Sequence, residues 1–469
     1  MKQKLEKKYG LFTAICMVVG IVIGSGVFFK AQDILNYTGG NMLIGIIAWL
    51  IGGVVIISCS LAFANLAGRY EKNNGVVDYA EAIVGKKYGY VMGWFLSTIY
   101  YPALTSVLAW VSARYTVLLF DHNADITGGL CMALGAFYIC FFYALNQLSP
   151  KLSGKFQVSA TVIKLVPLII MAIAGIVVGL INGNIVEAFE KSAQTVGADF
   201  TSVFAAVAAA AFAYDGWIIA TSINAELHNS KRNLPIALTI GSIVIISIYI
   251  FYFVALAGAT PVDVLMEKGS TVAFTNLFGN VAGTILNVFV AISCLGTLNG
   301  LMLANTRGLY SIAVRGKGPS PEKLSTIDEK SNSPTNSGLV ALLLTGFWYF
   351  YFYAANLCGA LGIFSFDSSE LPIITIYAMY IPIFVVFIAK EGKKSFWKNA
   401  FVPTIAILAS AFMAFSAFYA HGIAPFIKAN AEGRFSFPAL IYLAVFAADI
   451  IIGLIFYKKT TSAEIDPIE

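Results

Sequence analysis

The sequence predicts an all-α polytopic membrane protein with twelve transmembrane helices, and three observations support this fold class. Charged residues make up 12% of the 469 residues, about half of the roughly 25% found in soluble domains. Hydrophobic residues make up 58%, enough for a dozen spans of about 20 residues each. Apolar runs of spanning length recur from one end of the chain to the other. These observations exclude an ordinary soluble enzyme, a disordered chain and a nucleic-acid-binding module.

Each apolar run is predicted to be a helix, because backbone inside lipid must satisfy its own hydrogen bonds. In chain order the predicted spans are 9–36, 42–68, 88–120, 128–147, 157–181, 200–225, 236–260, 280–314, 337–357, 371–389, 401–420 and 437–457. The polar segment 315–336, rich in Lys, Ser and Pro, is predicted to be a loop. We therefore expect no soluble domain within the chain.

The basic residues are unevenly distributed between the two sides of the predicted membrane. With the N-terminus inside, 23 of the 30 Lys and Arg residues lie on the inner side and 5 on the outer side. Cytoplasmic loops of membrane proteins carry this excess. We therefore expect a multi-pass protein of the plasma membrane with both termini in the cytoplasm. The net charge of +5 then needs no nucleic-acid partner.

The Cys and His residues do not indicate a cofactor. None of the six Cys residues forms a CxxC pair, and the three His residues are far apart in the sequence. Zinc-ligand spacings are absent, as are the motifs of common hydrolases and nucleotide-binding enzymes. We therefore predict no metal, no cofactor, no catalytic residue and no enzymatic activity.

The first predicted span contains a break at Ile23, Gly24, Ser25 and Gly26. Each Gly costs about 1 kcal/mol relative to Ala inside a helix, so the pair weakens the turn. An unwound segment here would place free amides at the start of the following half-helix, where they bind a carboxylate. Close packing of helices is the alternative explanation for the glycines.

The sixth predicted span contains a second break, formed by Phe212, Ala213, Tyr214, Asp215 and Gly216. An acidic residue inside a span is energetically expensive and usually faces a cavity or a partner. Unwound backbone at this point would offer carbonyl oxygens that suit an ammonium group. A kinked helix in which Asp215 has only a structural partner is the alternative.

The two breaks occupy corresponding positions in two halves of the chain. Gly26 and Gly216 are 190 residues apart, and each break lies in the first span of a block of five. Such matching breaks are typical of inverted-repeat transporters. One break offers donors and the other acceptors, which fits an α-amino acid. The predicted units are a first repeat at 1–181, a second repeat at 199–390, two further helices at 398–458 and a cytoplasmic tail at 459–469.

Lys164 lies inside the fifth span among Val and Leu residues. A Lys at the centre of a span costs about 2.5–3.5 kcal/mol by insertion scales. Since Lys164 is seven residues from the cytoplasmic end of its span, its side chain could instead extend to the interface. Three other polar residues receive weaker interpretations: Tyr100 could line a pathway but is expected to pack among aromatic residues, Glu226 could form an inner gate but is expected in a solvated loop, and Asp449 is assigned no role.

These segments resemble the amino acid–polyamine–organocation (APC) superfamily, and within it the L-type amino acid transporter branch with its bacterial neutral amino acid exchangers. The resemblance covers nearly the whole chain and is carried by IGSGVF (23–28), KLVPL (164–168), FAYDGW (212–217), the segment 226–235 and LNGLMLANTRGLY (298–310). It implies the LeuT-like fold: a 5+5 inverted repeat with discontinuous helices 1 and 6, followed by two more helices.

The resemblance also implies roles for individual residues. Ser25 and Gly26 would bind the substrate carboxylate together with neighbouring backbone. Main-chain carbonyls of Phe212, Ala213 and Asp215 would bind the amino group, and Phe212 would act as a gate over the substrate. Lys164 would replace a sodium ion and stabilise the unwound first helix, or would carry a proton.

A disulfide-linked heavy subunit is not expected. Animal members of the branch carry a Cys for such a bond in the loop between spans three and four, and the corresponding loop here, 121–127, has none. The expected partners are an amino acid substrate and the lipid bilayer.

Together, these features predict a sodium-independent exchanger of neutral, small L-amino acids that works by alternating access. Three alternatives stay open at this point. The chain could take up amino acids with protons, with Lys164 as the proton site, or it could carry cationic amino acids or polyamines. A nutrient sensor of the same fold would bind substrate without transporting it.

Overall fold

The computed structural model describes residues 6–24, 26–70, 74–121, 124–194 and 200–459. Among these residues, twenty α-helices occur: α1 (Leu11–Val22), α2 (Gly26–Tyr37), α3 (Met42–Ala67), α4 (Gly75–Ile83), α5 (Lys86–Phe95), α6 (Tyr101–Phe120), α7 (Gly129–Leu148), α8 (Pro150–Ile181), α9 (Asn184–Gln194), α10 (Phe200–Tyr214), α11 (Ser230–Ala259), α12 (Val262–Lys268), α13 (Ser270–Phe278), α14 (Asn280–Ala313), α15 (Pro321–Leu324), α16 (Thr335–Phe352), α17 (Leu371–Glu391), α18 (Val402–Phe418), α19 (Ala424–Ala431) and α20 (Pro438–Lys459).

Shorter helical segments connect or extend these helices. The π-helical turns are Leu96–Tyr100, Tyr353–Leu357, Phe396–Phe401 and Tyr419–Ile423, and the 3-10 helices are Trp217–Glu226, Gly362–Phe364 and Gly392–Lys394. Within the described ranges there is no β-strand, and strand-like pairing is confined to two isolated bridges.

In the part of the chain that the structure describes, eleven helical segments are long and apolar enough to cross a membrane. A twelfth crossing is formed by α1 and α2, which bend by 47° at the break between them. The sixth crossing is also discontinuous, because α10 ends at Tyr214 and a 3-10 helix follows after two residues. The predicted fold class is confirmed.

Several predicted spans differ from the observed helices. The fifth and seventh begin earlier than predicted, at Pro150 and Ser230. The third contains a π-helical turn, Leu96–Tyr100, between α5 and α6, and a local change of backbone register leaves no trace in a hydropathy pattern. The eleventh, predicted at 401–420, extends over Phe396–Ala431. Its ends contain Lys and His as well as aromatic residues, so they are less apolar than the centre although the backbone remains helical.

The broken helices lie at the centre of the bundle. α1 packs against α8, α11 and α14, whereas α10 packs against α2, α3 and α18. Glycines allow several helices to approach closely: a Cβ atom added to Gly175 of α8 would lie 2.4 Å from the main-chain oxygen of Ala255 in α11. The boundaries of the two five-helix repeats and of the tail stay a prediction.

Candidate functional site

The first break separates α1 from α2. α1 ends at Val22, and Ile23 leaves the helical conformation with ψ 87°. Amides in the first turn of a helix have no acceptor within that helix, so the start of α2 at Gly26 presents donors. A Cβ atom at Gly26 would lie only 3.0 Å from the Cα atom of Ala213. Glycine is therefore required here, because the second break directly faces this position.

The second break follows Tyr214. Gly216 has a φ of +98°, a left-handed conformation that favours glycine. A Cβ atom there would also lie 2.9 Å from Cγ2 of Ile21. Beyond it, the 3-10 helix Trp217–Glu226 continues the span. Both broken helices therefore change direction beside one another.

A cavity of about 440 Å³, part of it open to solvent, lies where the two breaks meet. Of the predicted site residues, Gly24, Gly26, Phe212, Asp215 and Gly216 line this cavity. The rest of its wall is mostly apolar and is formed by Ile21, Val22, Leu104, Leu108, Ile219, Thr297 and Leu301. The cavity therefore combines the interrupted ends of two helices with a mostly apolar wall.

Three other predicted site residues, Ile23, Ala213 and Tyr214, do not line the cavity. The main-chain oxygen of Ile23 faces Lys164 at 2.6 Å, and that of Ala213 accepts a hydrogen bond from the Tyr249 hydroxyl at 2.8 Å. Tyr214 is fully buried and packs edge-on against Trp49. Ser25 lies outside the described residues. The substrate-binding assignments of these residues stay predictions.

Tyr249 links the two breaks. Its hydroxyl lies 3.0 Å from the main-chain oxygen of Val22 at the end of α1 and 2.8 Å from that of Ala213 near the end of α10. A tyrosine hydroxyl carries one proton, so it donates to one of these oxygens at a time. This residue holds the ends of two interrupted helices at a fixed separation.

Lys164 is fully buried and does not extend to the interface. Its Nζ atom lies 2.7 Å from the main-chain oxygen of Gly20, 2.6 Å from that of Ile23 and 3.0 Å from that of Ser293. The Thr297 hydroxyl oxygen is 3.3 Å away. The interpretation of Lys164 as an interfacial side chain is therefore wrong, because it binds the last turn of α1 and joins it to α14.

The side chain of Asp215 is half-buried and faces the cavity. Its Oδ2 atom accepts a hydrogen bond of 2.7 Å from the Tyr100 hydroxyl. The expectation that Tyr100 only packs among aromatic residues is therefore wrong. A carboxylate offers about four acceptor sites, so Asp215 retains acceptor capacity beyond its bond to Tyr100, on the side that lines the cavity.

On the predicted outer side, an ion-pair cluster adjoins Phe212. Lys30 lies over the Phe212 ring at 5.1 Å from its centroid and 2.6 Å from Glu370. The ring of His421 lies 2.7 Å from the other oxygen of Glu370. Burial acts to raise the pKa of Glu370, but Lys30 and His421 outweigh it and lower the pKa to about 2. The cluster joins α2, the start of α17 and the turn after α18 above the cavity.

This cluster also includes the one group of described residues with the geometry of a metal site. Ligand atoms of Asp367, Glu370 and His421 lie within 4.8 Å of one another. The Lys30 ammonium already occupies a carboxylate oxygen of Glu370, so a cation is present without a metal. The absence of a metal site stays a prediction.

On the predicted inner side, Glu226 and Arg307 form a fully buried ion pair. Arg307 Nη2 lies 3.0 Å from Glu226 Oε2. The main-chain amides of Lys8 and Tyr9 donate to the main-chain oxygen of Glu226 at 2.8 and 3.0 Å, so the N-terminal segment crosses this end of the broken helix. The interpretation of Glu226 as a solvated loop residue is wrong.

The sequence alone did not assign several residues of this site. Arg307 is a charged residue within the eighth predicted span, and like Lys164 it was recognisable because a charge inside a span needs a partner. Tyr249, Ser293 and Thr297 have no comparable signal, since hydroxyl side chains are common in membrane helices and become informative only through their neighbours.

The chain is similar in sequence to several known proteins. The family model described as amino acid permease matches residues 9–448. The serine/threonine exchanger SteT of Bacillus subtilis (strain 168) is 30% identical over 416 residues, which cover 87% of this chain and 89% of that protein. The b(0,+)-type amino acid transporter 1 of Mus musculus is 28% identical over 463 residues, or 97% of this chain and 88% of that protein. The cystine/glutamate transporter of Homo sapiens is 27% identical over 346 residues, which cover 73% of this chain and 68% of that protein.

The family match extends over almost the entire chain and includes both breaks, Lys164, the Lys30–Glu370–His421 cluster and the Glu226–Arg307 pair. The predicted resemblance is thereby confirmed, and the proteins of this group are transporters and not enzymes. The chain belongs to the amino acid permease family of the APC superfamily.

Proposed function

We propose that this protein is a sodium-independent exchanger of neutral L-amino acids with small side chains, located in the plasma membrane with both termini in the cytoplasm. The observation that carries the proposal is the cavity between two broken helices, which Gly26 closes on one side and Phe212 and Asp215 on the other. A zwitterion matches this arrangement, because one broken helix offers main-chain amides and the other offers main-chain carbonyl oxygens.

The substrate carboxylate binds at the start of α2. The amides near Gly26 have no intrahelical acceptor, and a helix N-terminus favours negative charge. The substrate ammonium binds at the end of α10, where carbonyl oxygens of the last turn lack helical donors. Phe212, which stands between the cavity and Lys30, serves as the gate on this side.

The cavity wall supports a preference for small neutral side chains. Leu104, Leu108, Ile219 and Leu301 restrict the space beside the two breaks and offer no charge. An apolar wall disfavours a charged side chain, because the charge would be buried without a partner. The serine/threonine exchanger among the relatives supports the same substrate class.

Sodium independence follows from the surroundings of Lys164. Three main-chain oxygens and one hydroxyl converge on its ammonium group, and such oxygens are ligands of the kind that bind Na⁺ in related folds. An ammonium has three N–H donors for the three carbonyl oxygens, whereas a neutral amine has only two. This match favours a fixed cation over a proton carrier.

Transport proceeds by alternating access, in which the first, second, sixth and seventh membrane spans move against the rest. The Lys30–Glu370–His421 cluster closes one side of the cavity, and Glu226 with Arg307 and the N-terminal segment closes the other. Opening the outer side separates the ion pairs of its cluster, and opening the inner side breaks the Glu226–Arg307 pair and the main-chain hydrogen bonds of the N-terminal segment to Glu226. No disulfide-linked subunit takes part.

Exchange in proteoliposomes tests the proposal. Uptake of labelled serine or alanine should require unlabelled amino acid inside the vesicles and should be unchanged when Na⁺ is replaced by choline. Equal uptake into empty and loaded vesicles would reject exchange. Uptake into empty vesicles driven by a pH gradient would favour proton coupling through Lys164.

The carboxylate of Asp215 supports a second candidate, transport of cationic amino acids or polyamines. It faces the cavity and retains acceptor capacity beyond its bond to Tyr100, so a cationic group could pair with it. Competition of labelled serine uptake by alanine, leucine, arginine and putrescine separates the two candidates. Stronger competition by arginine than by alanine would favour the second.

A further inference from the structure

The third transmembrane helix contains the π-helical turn Leu96–Tyr100. Such turns inside helices are frequently found at functional sites. Two polar side chains leave this turn in different directions: Tyr100 reaches Asp215 in the cavity, and Thr98 reaches Asp449 in the last helix, α20. The turn thus connects the candidate substrate site with an acidic residue inside a distant span.

Thr98 is held from two sides. Its main-chain oxygen accepts a hydrogen bond of 2.8 Å from the indole of Trp348 in α16. Its hydroxyl oxygen lies 2.9 Å from Oδ2 of Asp449 and 2.8 Å from the main-chain oxygen of Trp94. The Trp94 indole in turn donates to the main-chain oxygen of Asp449 at 3.0 Å. The position of α20 is therefore coupled to the π-helical turn.

The Thr98 hydroxyl has a single proton and two neighbouring oxygens. When Asp449 is protonated, the acid donates to the hydroxyl oxygen, and Thr98 donates to the main-chain oxygen of Trp94, a bond that Thr often makes one turn back in a helix. When Asp449 is ionised, the hydroxyl proton must turn to the carboxylate, and the bond to Trp94 is lost. A proton on Asp449 therefore selects between two hydrogen-bond arrangements of the turn.

The surroundings of Asp449 favour proton binding. Among the described residues, no Lys, Arg or His pairs with this half-buried carboxylate, and an unpaired charge inside a span is expensive. Tyr90 of α5 and Tyr442 of α20 face it, and their hydroxyls are bonded to Gly453 and Thr375.

Two other segments pack on α20, and neither supplies a charge to Asp449. The turn Tyr419–Ile423 carries Tyr419 and His421, and His421 pairs with Glu370. The 3-10 helix Gly362–Phe364 has no titratable side chain. These two segments therefore supply no cationic partner for Asp449.

We propose that Asp449 is a proton-binding site that positions Tyr100 against Asp215 through Thr98, so that protonation of Asp449 changes the affinity of the cavity for its substrate. This inference rests on the proposed amino acid exchange. Asp449 does not line the cavity, so it is a positioning residue. A displacement of Thr98 moves Tyr100, because both belong to the same turn.

Exchange kinetics as a function of pH test the link. In proteoliposomes, the KM of the wild-type protein for serine should change by about fivefold between about pH 5 and pH 8. Asp449→Asn, which resembles the protonated acid, and Thr98→Val, which removes the hydroxyl at nearly equal volume, should each have a KM that no longer follows the pH in this way. The control Tyr90→Phe removes another hydroxyl between α5 and α20 and should keep the wild-type profile.

The same pH profile in the wild type and both variants would overturn the connection between Asp449 and the cavity but leave the proposed function intact. A wild-type KM that does not vary with pH would have the same meaning. Loss of exchange at every pH in the wild type would instead contradict the proposed function.

Infrared difference spectra between acidic and neutral pH supply a readout without transport. The carboxylic acid band of the wild type should be diminished in Asp449→Asn, and an unchanged band would overturn the proton site.

Discussion

The Nζ atom of Lys164 lies 2.6 Å from the main-chain oxygen of Ile23, at the point where α1 ends. A side chain from the fifth span therefore stabilises the interruption of the first. The ammonium also contacts Ser293 of α14, so one charge connects three helices at the candidate site.

Replacing Lys164 with Met should reduce exchange by at least about tenfold, because the oxygens at the end of α1 lose their donor and unsatisfied buried groups cost about 1–3 kcal/mol each. Initial rates in proteoliposomes measure the effect. Lys155→Met, on the exposed side of the same helix, is the matched control and should behave as the wild type. Equal rates in the two variants would remove Lys164 from the mechanism.

Replacing Gly26 with Leu should abolish substrate binding, because even a Cβ atom would lie 3.0 Å from the backbone of Ala213. Substrate-induced stabilisation in a thermal-shift assay measures binding directly. Gly346→Leu places the same side chain at an exposed glycine of α16, where a Cβ atom meets nothing within 4 Å, and should leave binding unchanged. Normal binding by the Gly26 variant would mean that the donor segment is misplaced.

Tyr249→Phe should raise the KM by about three- to tenfold, since it removes a hydrogen bond that holds the two breaks together. Tyr214→Phe is the control, because the Tyr214 hydroxyl has no hydrogen-bond partner among the described residues. A larger increase of KM in the Tyr214 variant than in the Tyr249 variant would contradict the role given to the Tyr249 hydroxyl.

Glu370→Gln should lower the melting temperature near neutral pH, by about 2–4 °C for each kcal/mol lost. The pKa of Glu370 is lowered from 4.5 to about 2, so its ionised form stabilises the fold above the ordinary pKa. That contribution is lost as the pH falls from 4.5 towards 2. The difference between the wild type and the variant should therefore shrink over this range, as measured by thermal unfolding in detergent.

An exposed carboxylate provides the comparison for this experiment. Glu432→Gln alters an exposed group on the same predicted side and should change the melting temperature little at any pH. A difference for Glu370→Gln that persists undiminished near pH 2 would contradict the ion-pair interpretation of the cluster.

Glu226→Gln should destabilise the protein by about 3–5 kcal/mol, because it leaves the buried charge of Arg307 without its partner. The double variant Glu226→Gln with Arg307→Met should recover part of the loss. Arg232→Met, at an exposed position of α11, should be neutral. Thermal unfolding of the purified proteins measures these variants together with Arg307→Met alone, and additivity of Glu226→Gln and Arg307→Met in the double variant would contradict a direct pair.

Much of the architecture could be predicted from composition and residue type. Lipid demands long apolar helices, so the twelve crossings follow from hydropathy, and Gly24, Gly26 and Gly216 mark the breaks because glycine weakens a helix wherever it occurs. Asp215 and Lys164 were recognisable because a charge inside a span needs a partner.

The partners themselves were decided by tertiary structure alone. The sequence shows a lysine in the fifth span but not that three carbonyl oxygens of two other helices surround it, and it shows Tyr100 and Tyr249 as two aromatic residues among many. Hydropathy and local propensity depend on neighbours along the chain, whereas hydrogen bonds at the site join residues more than a hundred positions apart. Only the packing of the bundle brings those groups within bonding distance.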